Sequence, residues 1–174
     1  MRIRELAREE IDLVWSIDRS EEVENVYRLE GAALVLVPER HDVRGWPPGE
    51  PEHYAPILLD GLDHGGTAWG AFDGGALVGA AVLERRFIGS EGDTLQLKFL
   101  HVGRGQRGTG LGLALFERAV ERARALGARR LYVSSTTSEN TVRFYLRRGF
   151  RPAREVDPDL HALEPEDVHL TLDL

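Results

Sequence analysis

The chain has 174 residues, enough for one domain with a real hydrophobic core. It is 42% hydrophobic and 29% charged, contains no cysteine and carries a net charge of -7. This composition excludes disulfides, thiolate zinc sites and acyl-cysteine intermediates, and argues against nucleic acid as the main partner. Taken in order, the chain starts on basic Met1-Arg2-Ile3-Arg4 with no apolar signal core behind it. No later apolar run has membrane-spanning length, so no membrane association and a cytoplasmic location are expected. Residues 3–7 suit a first strand, and residues 9–17 a short helix with apolar positions at 11, 13, 14, 15 and 17. The acids Asp18, Glu21, Glu22, Glu24 and Glu30 then read as a solvated helix face.

Residues 32–37 (AALVLV) form a continuous apolar run, expected as a buried strand. Residues 38–56 are proline-rich and without period, which suits an ordered loop or a lid, with Trp46, His53 and Tyr54 as anchors or pocket walls. A helix is expected within 52–63, stopped by Gly65-Gly66. Residues 67–72 and 76–87 flank Asp73-Gly74-Gly75, a hairpin signal. A turn at 90–93 leads into a central strand at 94–102. After a glycine-rich loop comes a helix with Leu111, Leu115, Ala119 and Leu126 as its apolar stripe and Gly127 as its stop. Residues 131–134 read as a strand, 139–148 as a short helix closed by Gly149, and 150–156 with 168–174 as a last hairpin across a long polar loop.

The loop carries the first chemical signal. Gly103, Gly105, Gly108, Gly110 and Gly112 sit between a strand and a helix, with Arg104 and Arg107 among them. So much glycine lets backbone approach a ligand closely, and a helix N-terminus offers free N–H groups and a positive dipole end. Phosphate is the ligand such a place suits. A nucleotide-triphosphate loop would need lysine where Thr109 stands. Gly103, Gly105 and Gly108 match the dinucleotide pattern, but the following strand ends in Ser134-Ser135-Thr136-Thr137 rather than in an acid, and too little chain follows.

The third pattern, R-x-x-G-x-G at Arg107, Gly110 and Gly112, resembles the pyrophosphate loop of the GCN5-related N-acetyltransferases. A second block resembles that family's N-x-x-x-x-F-Y-x-x-x-G-F segment: Asn140, Phe144, Tyr145, Gly149 and Phe150. The resemblance is best over 67–150. It implies one α/β (α+β) domain over 1–174, with a mixed, mostly antiparallel sheet and helices on both faces. It implies acetyl-CoA as co-substrate, an amine acceptor and direct transfer in a ternary complex. Cofactor contacts are then expected from Leu100, Val102, Arg107, Gly108, Thr109, Gly110, Leu111, Gly112 and Asn140. Val102 would end the central strand with its backbone free to pair with the pantetheine arm. Tyr145 matches the tyrosine that often protonates the departing CoA sulfur.

The first helices of that family shape the acceptor pocket, so Asp18, Glu21 and Glu22 are expected as its acidic rim. Many relatives carry a strand glutamate four residues before the position of Val102. Here Lys98, the one lysine of the chain, stands there, with Gln96 two residues back. Neither suits as a base for an amine. Glu84, Glu21, Glu22, His101 and a water chain stay open, with His101 expected on the strand face opposite Lys98. Lys98 itself is expected either to pair with Asp18 or Glu21 or to bind an anion on the acceptor. The absent glutamate also fits a non-catalytic acyl-CoA-binding or sensing domain of the same fold; a nicotinamide-dependent oxidoreductase is a distant third reading. The resemblance implies no metal, and leaves the acceptor's identity and a homodimer open.

Overall fold

The computed structural model describes all 174 residues, Met1–Leu174. The strands are β1 (Arg2–Glu5), β2 (Glu21–Glu30), β3 (Ala33–Val43), β4 (Thr67–Asp73), β5 (Ala76–Leu83), β6 (Thr94–Val102), β7 (Arg130–Ser135), β8 (Arg151–Pro152) and β9 (Val168–Asp173). The helices are α1 (Glu50–Asp63), α2 (Leu111–Ala125), α3 (Glu139–Leu146) and α4 (Pro158–Leu163), with 3₁₀ segments at Arg8–Ser16 and Arg104–Gln106. Seven strands form one sheet in the order β1-β4-β5-β6-β7-β9-β8, and β2 with β3 forms a separate two-stranded sheet. Only β6 and β7 run parallel; the remaining pairs are antiparallel. No helix is long and apolar enough to cross a membrane.

Two cores lie on opposite faces of the sheet. Leu111, Leu115, Phe116, Ala119 and Ala123 of α2 pack on Ala81, Leu83, Leu95, Leu97, Leu131 and Val133. Ile11, Val14 and Ile17 of the first 3₁₀ segment, with Leu58 of α1, cover Leu77, Ala80, Val82 and Phe99 from the other side. The stripe read from the helix sequence is therefore the buried face of α2. Its close seat depends on Gly79, where a Cβ would come within 3.2 Å of Leu111 and Leu115.

Four expectations are corrected. Residues 21–30 are a strand rather than a helix face. A register shift between Val23 and Asn25 puts Val23 and Val26 both inward, and that three-residue spacing imitates a helix. The run at 32–37 is not buried: it lies in β3, whose residues are exposed or half-buried. The strand also continues through Pro38, which an edge strand tolerates because it has a neighbour on one side only. Residues 38–56 are consequently no single loop, since β3 ends at Val43 and α1 starts at Glu50. Pro51 sits in the first turn of α1, where a missing N–H costs nothing. Finally, β8 is only two residues long, and the polar stretch after it holds α4, capped by Asp157 accepting from Asp159 N and Leu160 N.

Candidate active site

Strands β6 and β7 pair only from Thr94–Gln96 against Arg130–Tyr132. Beyond that point they part, while β6 stays paired with β5 as far as Val102. The split opens the sheet between the ends of β6 and β7. A cavity of about 900 Å³ lies on the α2–α3 side and one of about 550 Å³ on the α1–α4 side. Arg19, His101 and Thr136 line both, so the two meet there.

The larger cavity opens on the glycine loop. Gly108 and Gly110 have φ of 78° and 91°, and a Cβ on either would meet nothing within 4 Å. Glycine is needed there for the left-handed backbone, and the space above is open. No side chain caps the N-terminus of α2, so its first-turn N–H groups face that space. Leu100, Val102, Arg107, Gly108, Gly110, Gly112 and Asn140 all line this cavity, as does Tyr145. The side chains of Thr109 and Leu111 do not. Thr109 bonds the Gln106 carbonyl at 2.7 Å, and Leu111 is buried under β5.

Arg107 is bound more tightly to the protein than its motif position suggested. Its guanidinium donates to the carbonyls of Val102 (3.3 Å), Ser20 (3.0 Å) and Arg19 (3.2 Å). It thus ties the loop to the strand end and to the entry of β2. The Val102 carbonyl is correspondingly engaged by Arg107 rather than left free. Asn140 donates to Glu21 at 2.9 Å. Tyr145 is 6% exposed, and burial pushes its phenol well above the ordinary tyrosine range, against the pull of Arg148.

The smaller cavity has aromatic walls, Trp15, Tyr54 and Phe99, and an acidic group formed by Glu50, Glu164 and Asp167. Arg19 pairs with Glu50 at 3.1 Å, and Ser134 donates to Asp167 at 3.0 Å. Glu164 has no cation. Burial, then Asp167 and Glu50, push its carboxyl up to about 7. Burial also raises Glu50 despite Arg19, and raises Asp167 despite Ser134. The expected rim of Asp18, Glu21 and Glu22 is not assembled here. Asp18 accepts from Ser20 N in its own turn, Glu22 pairs with Arg104 at 3.4 Å, and Glu21 reaches the larger cavity instead.

Lys98 lines the smaller cavity, but its partner is the buried carboxylate of Glu84, not Asp18 or Glu21. Arg86 stands 3.9 Å from that carboxylate. The expectation for His101 also fails, for a backbone reason. Val82 faces Phe99 while Leu83 faces Leu97, so Lys98 is one extra residue on β6. This bulge resets the alternation. Leu95 and Leu97 point to the α2 core, Phe99 to the opposite one, and Lys98 and His101 line the same cavity. Burial, then Arg19 and Arg107, lower the His101 imidazole to about 3, so it is neutral at physiological pH.

Sequence reasoning missed Glu50, Glu164, Asp167, Trp15 and the junction role of His101. The three acids lie at a helix start, a helix end and a strand entry far apart in the chain, and no local pattern links them.

The pattern of the GNAT acetyltransferase family matches residues 31–150. No curated protein matches the sequence. Among solved structures, a nourseothricin acetyltransferase is 20% identical with a TM-score of 0.72, over 99% of this chain and 97% of that one. A GNAT-family acetyltransferase of Staphylococcus aureus Mu50 is 18% identical with a TM-score of 0.70, over 99% and 98%. The PaiA N-acetyltransferase of Thermoplasma acidophilum, in complex with coenzyme A, is 16% identical with a TM-score of 0.62, over 99% and 98%. At such identities the likeness is one of fold.

Proposed function

Because the chain belongs to the GNAT acetyltransferase family, we propose that it moves the acetyl group of acetyl-CoA to the nitrogen of a primary amine, by direct transfer in a ternary complex. One observation carries this reading: two cavities of different chemistry meet at the split between β6 and β7. The larger suits a phosphorylated cofactor, with open left-handed glycines and an uncapped helix N-terminus. The coenzyme A complex of a structural neighbour agrees with that use. The smaller suits a cation, with three carboxyl groups of which only Glu50 is paired with an arginine, and with its lysine, Lys98, already engaged by Glu84.

Acetyl-CoA supplies the acetyl group as a thioester; a C–N bond forms to the amine and the C–S bond breaks. Each part of the chain has a task in this exchange. The amides from Gly108 to Gly112 hold the pyrophosphate, and Asn140 borders the pantetheine path. Glu50, Glu164 and Asp167 draw in the acceptor as an ammonium. An ammonium near pKa 10 must lose a proton before it can attack, and that proton leaves to solvent water at the mouth of the cavity. His101, neutral in the shared wall, accepts a hydrogen bond from that nitrogen and directs its lone pair at the split. Tyr145 keeps its proton at neutral pH and donates it toward the departing sulfur. The proton that the nitrogen sheds as the amide forms replaces it through water, so the thiolate leaves as a thiol and no phenolate is left behind.

Thiol release with a panel of mono-, di- and polyamines tests this. Intersecting initial-rate plots and release that requires an amine are the expected result. Parallel plots, or release unaffected by any amine, would remove the ternary mechanism.

A further inference from the structure

The smaller cavity has a closed end that the reaction above does not use. The last parallel pair of β6 and β7 is Gln96 with Tyr132, so Gln96 stands at the apex of the split. Its carbonyl accepts from Glu84 N at 2.9 Å, which fixes the residue in the sheet. Its side chain faces the cavity and is 7% exposed. The side-chain amide has no hydrogen-bond partner in the protein, and its polar atoms are open to the cavity rather than sealed away. A buried amide costs free energy until something bonds it. Methionine would fill the same volume without that cost, so packing alone does not explain a glutamine here.

The neighbours decide what this amide can take. Lys98 lies beside it on β6 and is neutralised by Glu84, so the apex offers no net charge to an ammonium or a carboxylate. The free carboxyls lie farther along the split: Asp167 is held by Ser134, two residues past Tyr132 on β7. An ammonium is drawn there rather than to Gln96. A glutamine amide both donates and accepts, and its complement is an uncharged group that does the same. Hydroxyl and carboxamide have that chemistry.

We propose that Gln96 is a specificity-determining residue that binds an uncharged hydrogen-bonding group, a hydroxyl or a carboxamide, at the far end of the acceptor amine. The inference rests on the acetyl-transfer reading above. The reacting nitrogen sits at His101, where the two cavities meet. From there to Gln96 the strand runs five residue steps, a span of roughly 16 Å at the usual rise of a strand. The acceptor is therefore extended, with its amine at one end and a neutral polar group at the other. A short alkylamine reaches one of these contacts and not both.

The test is kcat/KM of the full chain with acetyl-CoA and linear primary amines of graded length, ending in methyl, hydroxyl, carboxamide or ammonium. At the best length, the hydroxyl or carboxamide end should exceed the methyl end by at least tenfold, about 1.4 kcal/mol. Gln96→Met keeps the volume and removes the hydrogen bonds, so that preference should fall to near unity. Gln96→Asn draws the amide back by one methylene, so the preferred acceptor should lengthen by one carbon. A glutamine that merely packs would move neither readout. Equal wild-type values for all four ends at every length would overturn the proposal. So would a higher value for the ammonium end, or a full preference kept by folded Gln96→Met. Should Gln96→Met fail to fold, the wild-type series and Gln96→Asn still decide. If acetyl-CoA binds and no amine is acetylated, the transfer reading itself fails and takes this one with it; that result is separable from transfer without an end-group preference.

Discussion

A phenol sealed into a cavity wall holds its proton far above neutral pH, and the role proposed for Tyr145 needs that state. Tyr145→Phe keeps the ring and removes only the acid. Turnover should fall by about 10²-fold with little change in acetyl-CoA affinity, read from steady-state rates beside calorimetry. Glu164 is perturbed in the same direction, up to about 7. Between the ordinary carboxylate range and about pH 7, the folded chain therefore holds a proton that the unfolded chain has released. Stability is lost as pH rises through that window. Urea melts across it should show a shallower fall in Glu164→Gln than in the wild type; identical slopes would mean that Glu164 titrates normally. Lys98 and Glu84 make a buried pair, 11% and 5% exposed at their side chains. Lys98→Met leaves the carboxylate without its main cation, and a loss of about 3 kcal/mol is expected. Adding Glu84→Gln should recover most of it. The common place of Tyr145 and Asn140 beside one cavity was legible because one short segment carries both. The partner of Lys98 was not, since Glu84 follows the end of the neighbouring strand and only pairing across the sheet brings it near.

At the scale of elements, the loop between β6 and α2 was readable from glycine spacing alone. Its two left-handed glycines and uncapped helix end are local properties. Gly110→Asp would strain a φ of 91° and set a negative charge where an anion is to bind. Acetyl-CoA affinity should drop by at least tenfold in a variant that still folds; unchanged affinity would reassign the loop. The bulge at Lys98 lies on the same strand and could not be read. A bulge is set by pairing with β5, and nothing in TLQLKFLHV marks the extra residue. It matters because it turns His101 into the shared wall of the cavities. The β2–β3 hairpin was misread for a related reason: its own register shift disguised a strand as a helix face, and Pro38 disguised a strand as its end.

The whole molecule places its two cores on opposite faces of one seven-stranded sheet, so the packing of α1 and the packing of α2 both rest on the same central strands, β5 and β6. One cooperative unfolding transition is expected for the 174 residues, with fluorescence and circular dichroism coinciding. The mixed sheet with helices on both faces was legible because strands, glycine turns and an amphipathic helix follow one another in readable blocks. The smaller cavity was not, because α1, β6, β7, α4 and the turn before β9 each contribute only a residue or a few to it. That cavity bears most directly on function, and one experiment addresses it. The protein is incubated with acetyl-CoA labelled in the acetyl group and with a diamine, and the label is followed by mass spectrometry. The account predicts label in an amide on the diamine, appearing together with free CoA thiol. Acetyl-CoA that binds but keeps its label with every amine offered would contradict it, and would make the chain a binding domain of the same fold.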